Sequence, residues 1–278
     1  MGVWVAPLRI ALIAAIFAAF SWFQFVNLAS AREVTSNAID LFDPRPARDI
    51  LFIGTSRMSR NDMPSMVRAV ADSAGSPVKY RVRKWTVNGA SFRDHAGMPI
   101  VQKLIGQRWD RVILQGESSA QAEDKWRADF AHYGDWLIAR TRRSGSPASL
   151  IVNWNYGEEV FRGYGEGVRA DYDRTIQHDY RALAEHSGAG LIDVGTIWKR
   201  VEAAHPEMRL TTDGNHPSVL GTYICALMIY SDLSGADVRQ VRYVPEGMTE
   251  AEASALRDMV ADFAVSSIDA RQDRTVRR

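Results

Sequence analysis

The sequence predicts an α/β domain of three layers: a central five-stranded parallel sheet with helices on both faces. Three observations carry that expectation. Five short apolar runs, Ile50–Ile53, Val82–Val87, Val112–Leu114, Leu150–Trp154 and Leu191–Val194, read as buried strands. Segments of helical periodicity alternate with them, near 63–75, 94–107, 123–143, 170–187 and 196–204. Such alternation joins parallel strands through crossovers that cover both faces of a sheet. Composition agrees: 278 residues, 46% hydrophobic and 24% charged, can bury a sizeable core, which excludes disordered, collagen-like and multi-span membrane chains.

Residues 1–31 read as an export segment. Arg9 supplies a positive start, Ile10–Phe23 is an uncharged apolar run, and Ala29-Ser30-Ala31 fits a signal-peptidase site. As a helix that run rises about 21 Å, short of the ~30 Å hydrocarbon core, yet the absence of charge from 10 to 31 leaves an uncleaved membrane anchor as the alternative. Either way the folded part is expected outside the cytoplasm, periplasmic or secreted. Residues 32–48, with Asp43-Pro44-Arg45-Pro46, read as a linker.

The folded domain is expected over 49–266. Within it, Asn155–Gly167, rich in glycine and aromatics, reads as a long loop over one edge. Pro217 suits the first turn of a helix running through Leu233. Thr249 and Glu252 make a capping box for a last helix at about 250–266, followed by a polar tail, 267–278. With 34 Lys+Arg against 33 Asp+Glu, nothing suggests a nucleic-acid surface. The lone Cys225 excludes an intramolecular disulfide and a cysteine-clustered zinc site, and its apolar setting suits a buried small hydrophobe.

Four segments carry polar chemistry at strand ends, where open parallel sheets bind ligands. In Gly54-Thr55-Ser56-Arg57, Ser56 is either a nucleophile near helix N–H groups or simply an N-cap. Gly89 either offers a backbone N–H to an oxyanion or makes a turn. Gln115 and Glu117 stand at the mouth of the third strand. In Asp213-Gly214-Asn215-His216-Pro217 the carboxylate can fold back onto imidazole Nδ1 and leave Nε2 as a base. The alternative there is an Asx-type turn with His216 capping the next helix. The remaining histidines, His95, His132, His178, His186 and His205, show no metal-ligand spacing and read as surface or loop residues.

Taken together, the four segments resemble the blocks of the SGNH (GDSL-type) hydrolases, in order and over about Asp49–Leu233. Two departures stand out. Gly-Thr-Ser replaces Gly-Asp-Ser, and Gln115-Gly116-Glu117-Ser118 replaces Gly-x-Asn-Asp, as in the sialate-esterase and carbohydrate acetylesterase branches. The resemblance implies the SGNH, flavodoxin-like sandwich and a triad of Ser56, His216 and Asp213, with an oxyanion hole from the N–H groups of Ser56 and Gly89 and a side chain of the third block. An ionised Glu117 cannot donate a hydrogen bond whereas the Gln115 amide can, so Gln115 is the expected donor, unless Glu117 occupies the asparagine position.

The expected activity is therefore an exported serine esterase acting on ester, O-acetyl, groups of a small molecule or glycan, with no cofactor and no metal. An O-acyltransferase of cell-envelope polysaccharide is the alternative, and a non-catalytic glycan-binding module a further one. Trp154, Tyr156, Phe161 and Tyr164 either face a sugar ring or pack their loop, and Arg57 either meets an anionic substrate or is solvated.

Overall fold

Strand β1 (Ala47–Gly54) ends in Ile50-Leu51-Phe52-Ile53, buried on both sides, which suits only an interior position in the sheet. The computed structural model describes residues 43–165 and 167–276, with side chains to 265. The expected export segment and the linker up to residue 42 lie outside the described residues. The described residues from Ala47 onward form one compact unit.

Four strands join β1: β2 (Lys79–Thr86), β3 (Arg111–Leu114), β4 (Ala148–Ile151) and β5 (Gly190–Ile192). All pair in parallel, in the order β2-β1-β3-β4-β5. β2 is an edge, and its Lys79, Arg81, Arg83 and Lys84 fit that place because charge discourages pairing with another chain.

Alternate residues separate the two faces. Ile50, Phe52, Ile113, Ile151 and Ile192 share one core with α2 (Met63–Ser73), α7 (Val194–Ala204), α8 (Val219–Ser234) and α9 (Glu250–Val276). Leu51, Ile53, Val112, Leu114 and Leu150 share the other with α3 (Phe92–Gly97), α4 (Pro99–Ile105), α5 (Asp124–Arg143) and α6 (Val168–Ser187). This is the expected three-layer α/β/α architecture. A short helix α1 (Ser56–Ser59) follows β1 directly.

The region expected as one helix over 94–107 is two. Pro99 disfavours helical geometry at the residue before it, and Met98 accordingly sits at φ −82°, ψ 120° between α3 and α4. Helix α9 continues past 266 to Val276. Cys225 is fully buried in α8, and burial pushes its thiol far up, so it serves as packing. Among the described residues no helix is long and apolar enough to cross a membrane, and no group of three His, Cys, Asp or Glu could hold a metal ion.

Candidate active site

The sheet delivers its polar loops to one end. Past the last paired residues, Val87 N–H donates to the Gly54 carbonyl (3.0 Å) and Gln115 N–H to that of Ile53 (2.9 Å). The segments after β2 and β3 therefore leave the sheet on either side of the turn that carries Ser56. In this strand order β1 and β3 flank the point where the chain reverses direction across the sheet, the crevice where such folds place ligands.

Ser56 is not the cap of its helix. Thr55 is: its backbone is extended and its hydroxyl accepts the Arg57 N–H (3.4 Å). That frees the Ser56 hydroxyl, whose Oγ lies 3.0 Å from His216 Nε2. The tight turn depends on Gly54, since a Cβ there would stand 2.9 Å from Met58 Sδ and 3.2 Å from Gln115 Cβ.

Asp213 makes both the Asx-type turn and the contact to the imidazole, one with each oxygen. Oδ1 accepts the backbone N–H groups of Asn215 (3.0 Å) and His216 (2.7 Å), an Asx-type turn. Oδ2 accepts the imidazole Nδ1–H (2.7 Å). Burial opposes ionisation, but the hydrogen bonds from the His216 N–H, its ring and the Asn215 N–H outweigh it and hold the carboxyl at about 2. With Nδ1 protonated toward Asp213, Nε2 is left to accept the Ser56 proton. The cap of α8 is Ser218, whose hydroxyl accepts the Gly221 N–H, and not His216.

Gly89 sits at the third position of a turn closed by Ala90 N–H to the Val87 carbonyl (3.2 Å), with φ +70°, the geometry that selects glycine. Gln115 is 0% exposed, and neither Nε2 nor Oε1 has a hydrogen-bond partner among the described residues. Glu117 is half-buried, and burial, then the charge of Asp94, raises its carboxyl above the usual range. It lines a cleft of about 420 Å³ with Ser91, Asp94 and Trp126, which does not include Ser56. Between them, Gly116 is irreplaceable by size: a Cβ would meet Phe130 at 2.9 Å and the Tyr180 hydroxyl at 3.0 Å.

Three expectations are corrected. His95 is not a surface residue; it is fully buried in α3 with Nε2 3.1 Å from the Gly54 carbonyl, and burial lowers its pKa, so the ring is neutral and Nε2–H donates there. Arg57 is not solvated; it is 1% exposed. Trp154 offers no face to a sugar. It is buried, stacked on Trp198 at 4.4 Å, with Nε1–H donating to the Asn215 carbonyl (3.1 Å). Of the four aromatics only Tyr164, 68% exposed, stands well clear of the protein.

Sequence reasoning missed the residues that hold these loops together. Asn153, two residues past β4, donates to the carbonyls of Gly116 (2.9 Å) and Glu117 (3.2 Å). Tyr172 donates to the Ser118 carbonyl (2.6 Å), and Tyr156 to the Ser118 hydroxyl (2.7 Å). An asparagine at the end of an otherwise apolar run was the available signal for the first. No local pattern marks the tyrosines.

No protein-family model matches the chain, and no curated protein matches it. Solved structures do. A DUF4886 family protein from Bacteroides uniformis superposes with a TM-score of 0.64 at 16% identity, over 78% of this chain and 94% of that one. A putative SGNH hydrolase from Slackia heliotrinireducens gives 0.56 at 23% identity, over 68% and 100%. The acetylxylan esterase Axe2 from Geobacillus stearothermophilus gives 0.54 at 18%, over 72% and 99%. At these identities the likeness is one of fold: the chain has the α/β/α fold of SGNH hydrolases.

Proposed function

We propose that the protein is a serine ester hydrolase outside the cytoplasm, removing O-acetyl groups, with carbohydrate esters as the substrate class. The single observation that carries the reading is the chain of contacts from Ser56 Oγ through His216 to Asp213, at 3.0 and 2.7 Å, in which an ionised Asp213 can only accept from Nδ1–H. His216 Nε2 takes the proton as Ser56 Oγ attacks the ester carbonyl, and Asp213 stabilises the imidazolium. The oxyanion is held by the Ser56 and Gly89 N–H groups, with Gln115 as the side-chain donor once its buried amide, without a partner among the described residues, turns toward Ser56. Collapse expels the alcohol with the proton from His216, and water then attacks the acyl-Ser56 by the same route. The likeness in fold to acetylxylan esterases supports the substrate class.

The test is release of acetate from p-nitrophenyl acetate and from O-acetylated xylo-oligosaccharides by the purified protein. Turnover of both is expected. Loss of ester without free acetate, the acetyl appearing on added glycan, would mark an acyltransferase; a folded protein that consumes neither contradicts the reading.

Asp213→Asn is expected to lower kcat by about 10³–10⁴-fold, because an amide favours the tautomer with its proton on Nε2. A pH–rate profile adds a second check. Since the Asp213 carboxyl sits at about 2, any loss of activity between pH 4 and 7 originates elsewhere. A depressed native pKa contributes stability above the unfolded value that disappears as pH falls through the native one, so the acid loss at this half-exposed group falls between about pH 4 and 2 and is absent from Asp213→Asn.

A further inference from the structure

Arg57 is a buried cation, and the described structure places no carboxylate against it. Burial pulls its guanidinium down to about 10, so it stays charged at neutral pH. Nε–H donates to Asn215 Oδ1 (2.9 Å) and Nη1–H to the Trp154 carbonyl (2.7 Å), while the plane lies 4.6 Å from the Trp154 ring centre and 5.0 Å from that of Tyr156. Nη2 is buried with no partner among the described residues. Burying a charge this way costs stability, and an apolar residue of similar volume would avoid the cost. What the guanidinium does instead is specific: Arg57 follows the nucleophile, and Asn215 precedes the base.

The other side of His216 is held in the same way. Asn61, five residues after Ser56, donates from Nδ2 to the Pro217 carbonyl (3.1 Å) and to Thr222 Oγ1 (2.9 Å). It does so from a left-handed backbone, φ 53°, that residues other than glycine seldom adopt. Both neighbours of His216 are thus tied to the segment that carries Ser56. We infer that Arg57 and Asn61 form a two-point clamp on the His216 loop, and that these positioning residues set the Ser56–His216 separation on which the proposed chemistry depends.

The inference rests on the esterase reading, and the two fail separately. In the full-length protein, Arg57→Met, Asn215→Ala and their double variant are each expected to lose about 10²-fold in kcat on p-nitrophenyl acetate with KM unchanged, the loss expected when a reacting group is misplaced by about 1 Å. The double variant should lose no more than Arg57→Met alone, since the Arg57–Asn215 hydrogen bond that Asn215→Ala removes is already absent there. Asn61→Ala should lower kcat in the same way. Melting temperature separates positioning from folding: Arg57→Met removes a buried uncompensated charge, so its melting point should stay close to wild type while kcat falls. If Arg57→Met does not fold, Arg57→Lys, which keeps the charge but loses the fork, carries the test. A folded Arg57 variant with wild-type kcat overturns the clamp, as do additive losses in the double variant. An inactive wild type overturns the esterase reading instead. In that event the clamp is still read from crystal structures, where the Ser56–His216 hydrogen bond should be present in wild type and broken in Arg57→Met; a bond intact in both overturns it.

Discussion

Ser56→Ala is expected to reduce hydrolysis of p-nitrophenyl acetate by about 10⁴–10⁶-fold while leaving the melting temperature unchanged. The size follows from removing the atom that bonds to the acyl group. What survives is the contribution of binding and of the oxyanion donors, which act on a direct attack by water. The unchanged stability follows from local structure. The helix after β1 is capped by Thr55, so deleting the Ser56 hydroxyl removes no cap, and that hydroxyl's hydrogen bond is to His216. Steady-state kinetics with a thermal melt on the same samples checks both halves. An alanine variant within tenfold of wild type would contradict the assignment of Ser56.

Gly221→Ala is expected to have the largest effect on stability, about 3 kcal/mol, the upper range for forcing atoms into a packed core. A Cβ at this position in α8 would collide with the Leu210 carbonyl oxygen and the Trp198 ring. Neither can withdraw freely. The Leu210 carbonyl accepts the Ser218 N–H (2.9 Å), and Trp198 is stacked on Trp154, which in turn donates to Asn215. The strain therefore reaches the Asp213–His216 loop, and the folded fraction of the variant should also lose kcat. Gly97→Ala, at a position with open space around it, is the control and should change stability by less than about 0.5 kcal/mol. Urea unfolding of both variants measures the difference.

The architecture was legible because buried parallel strands are short, apolar and separated by amphipathic helices, a pattern that local reading detects. Its errors have local causes. Val82–Val87 was placed a few residues late because β2 is a charged edge strand, Lys79–Thr86, where apolar content is a poor guide. The helix break at Met98 is marked in the sequence by Pro99, while the periodicity on both sides of it reads as one helix. The contacts of the candidate site were legible where the residues sit close in the chain, as Asp213 and His216 do, or where a turn exposes a hydroxyl, as at Ser56.

What the sequence concealed were contacts made across long separations. Arg57 looked like a surface residue because arginine usually is one; only the fold brings Asn215, Trp154 and Tyr156 around it. His95 looked idle because its acceptor is a backbone carbonyl, Gly54, which no side-chain pattern announces. Trp154 and Tyr156 sit two residues apart in one segment, yet Trp154 is interior, stacked on Trp198, a partner 44 residues away in the chain.

The central claim, that an ester's acyl group passes through Ser56, is tested most directly by quenching the protein during turnover of p-nitrophenyl acetate and locating the acetyl group by peptide mass mapping. An acetyl ester is expected on Ser56 in the wild type and absent from Ser56→Ala. An active protein whose acyl group resides on another residue, or that turns over with no acylated peptide at any time point, would contradict it.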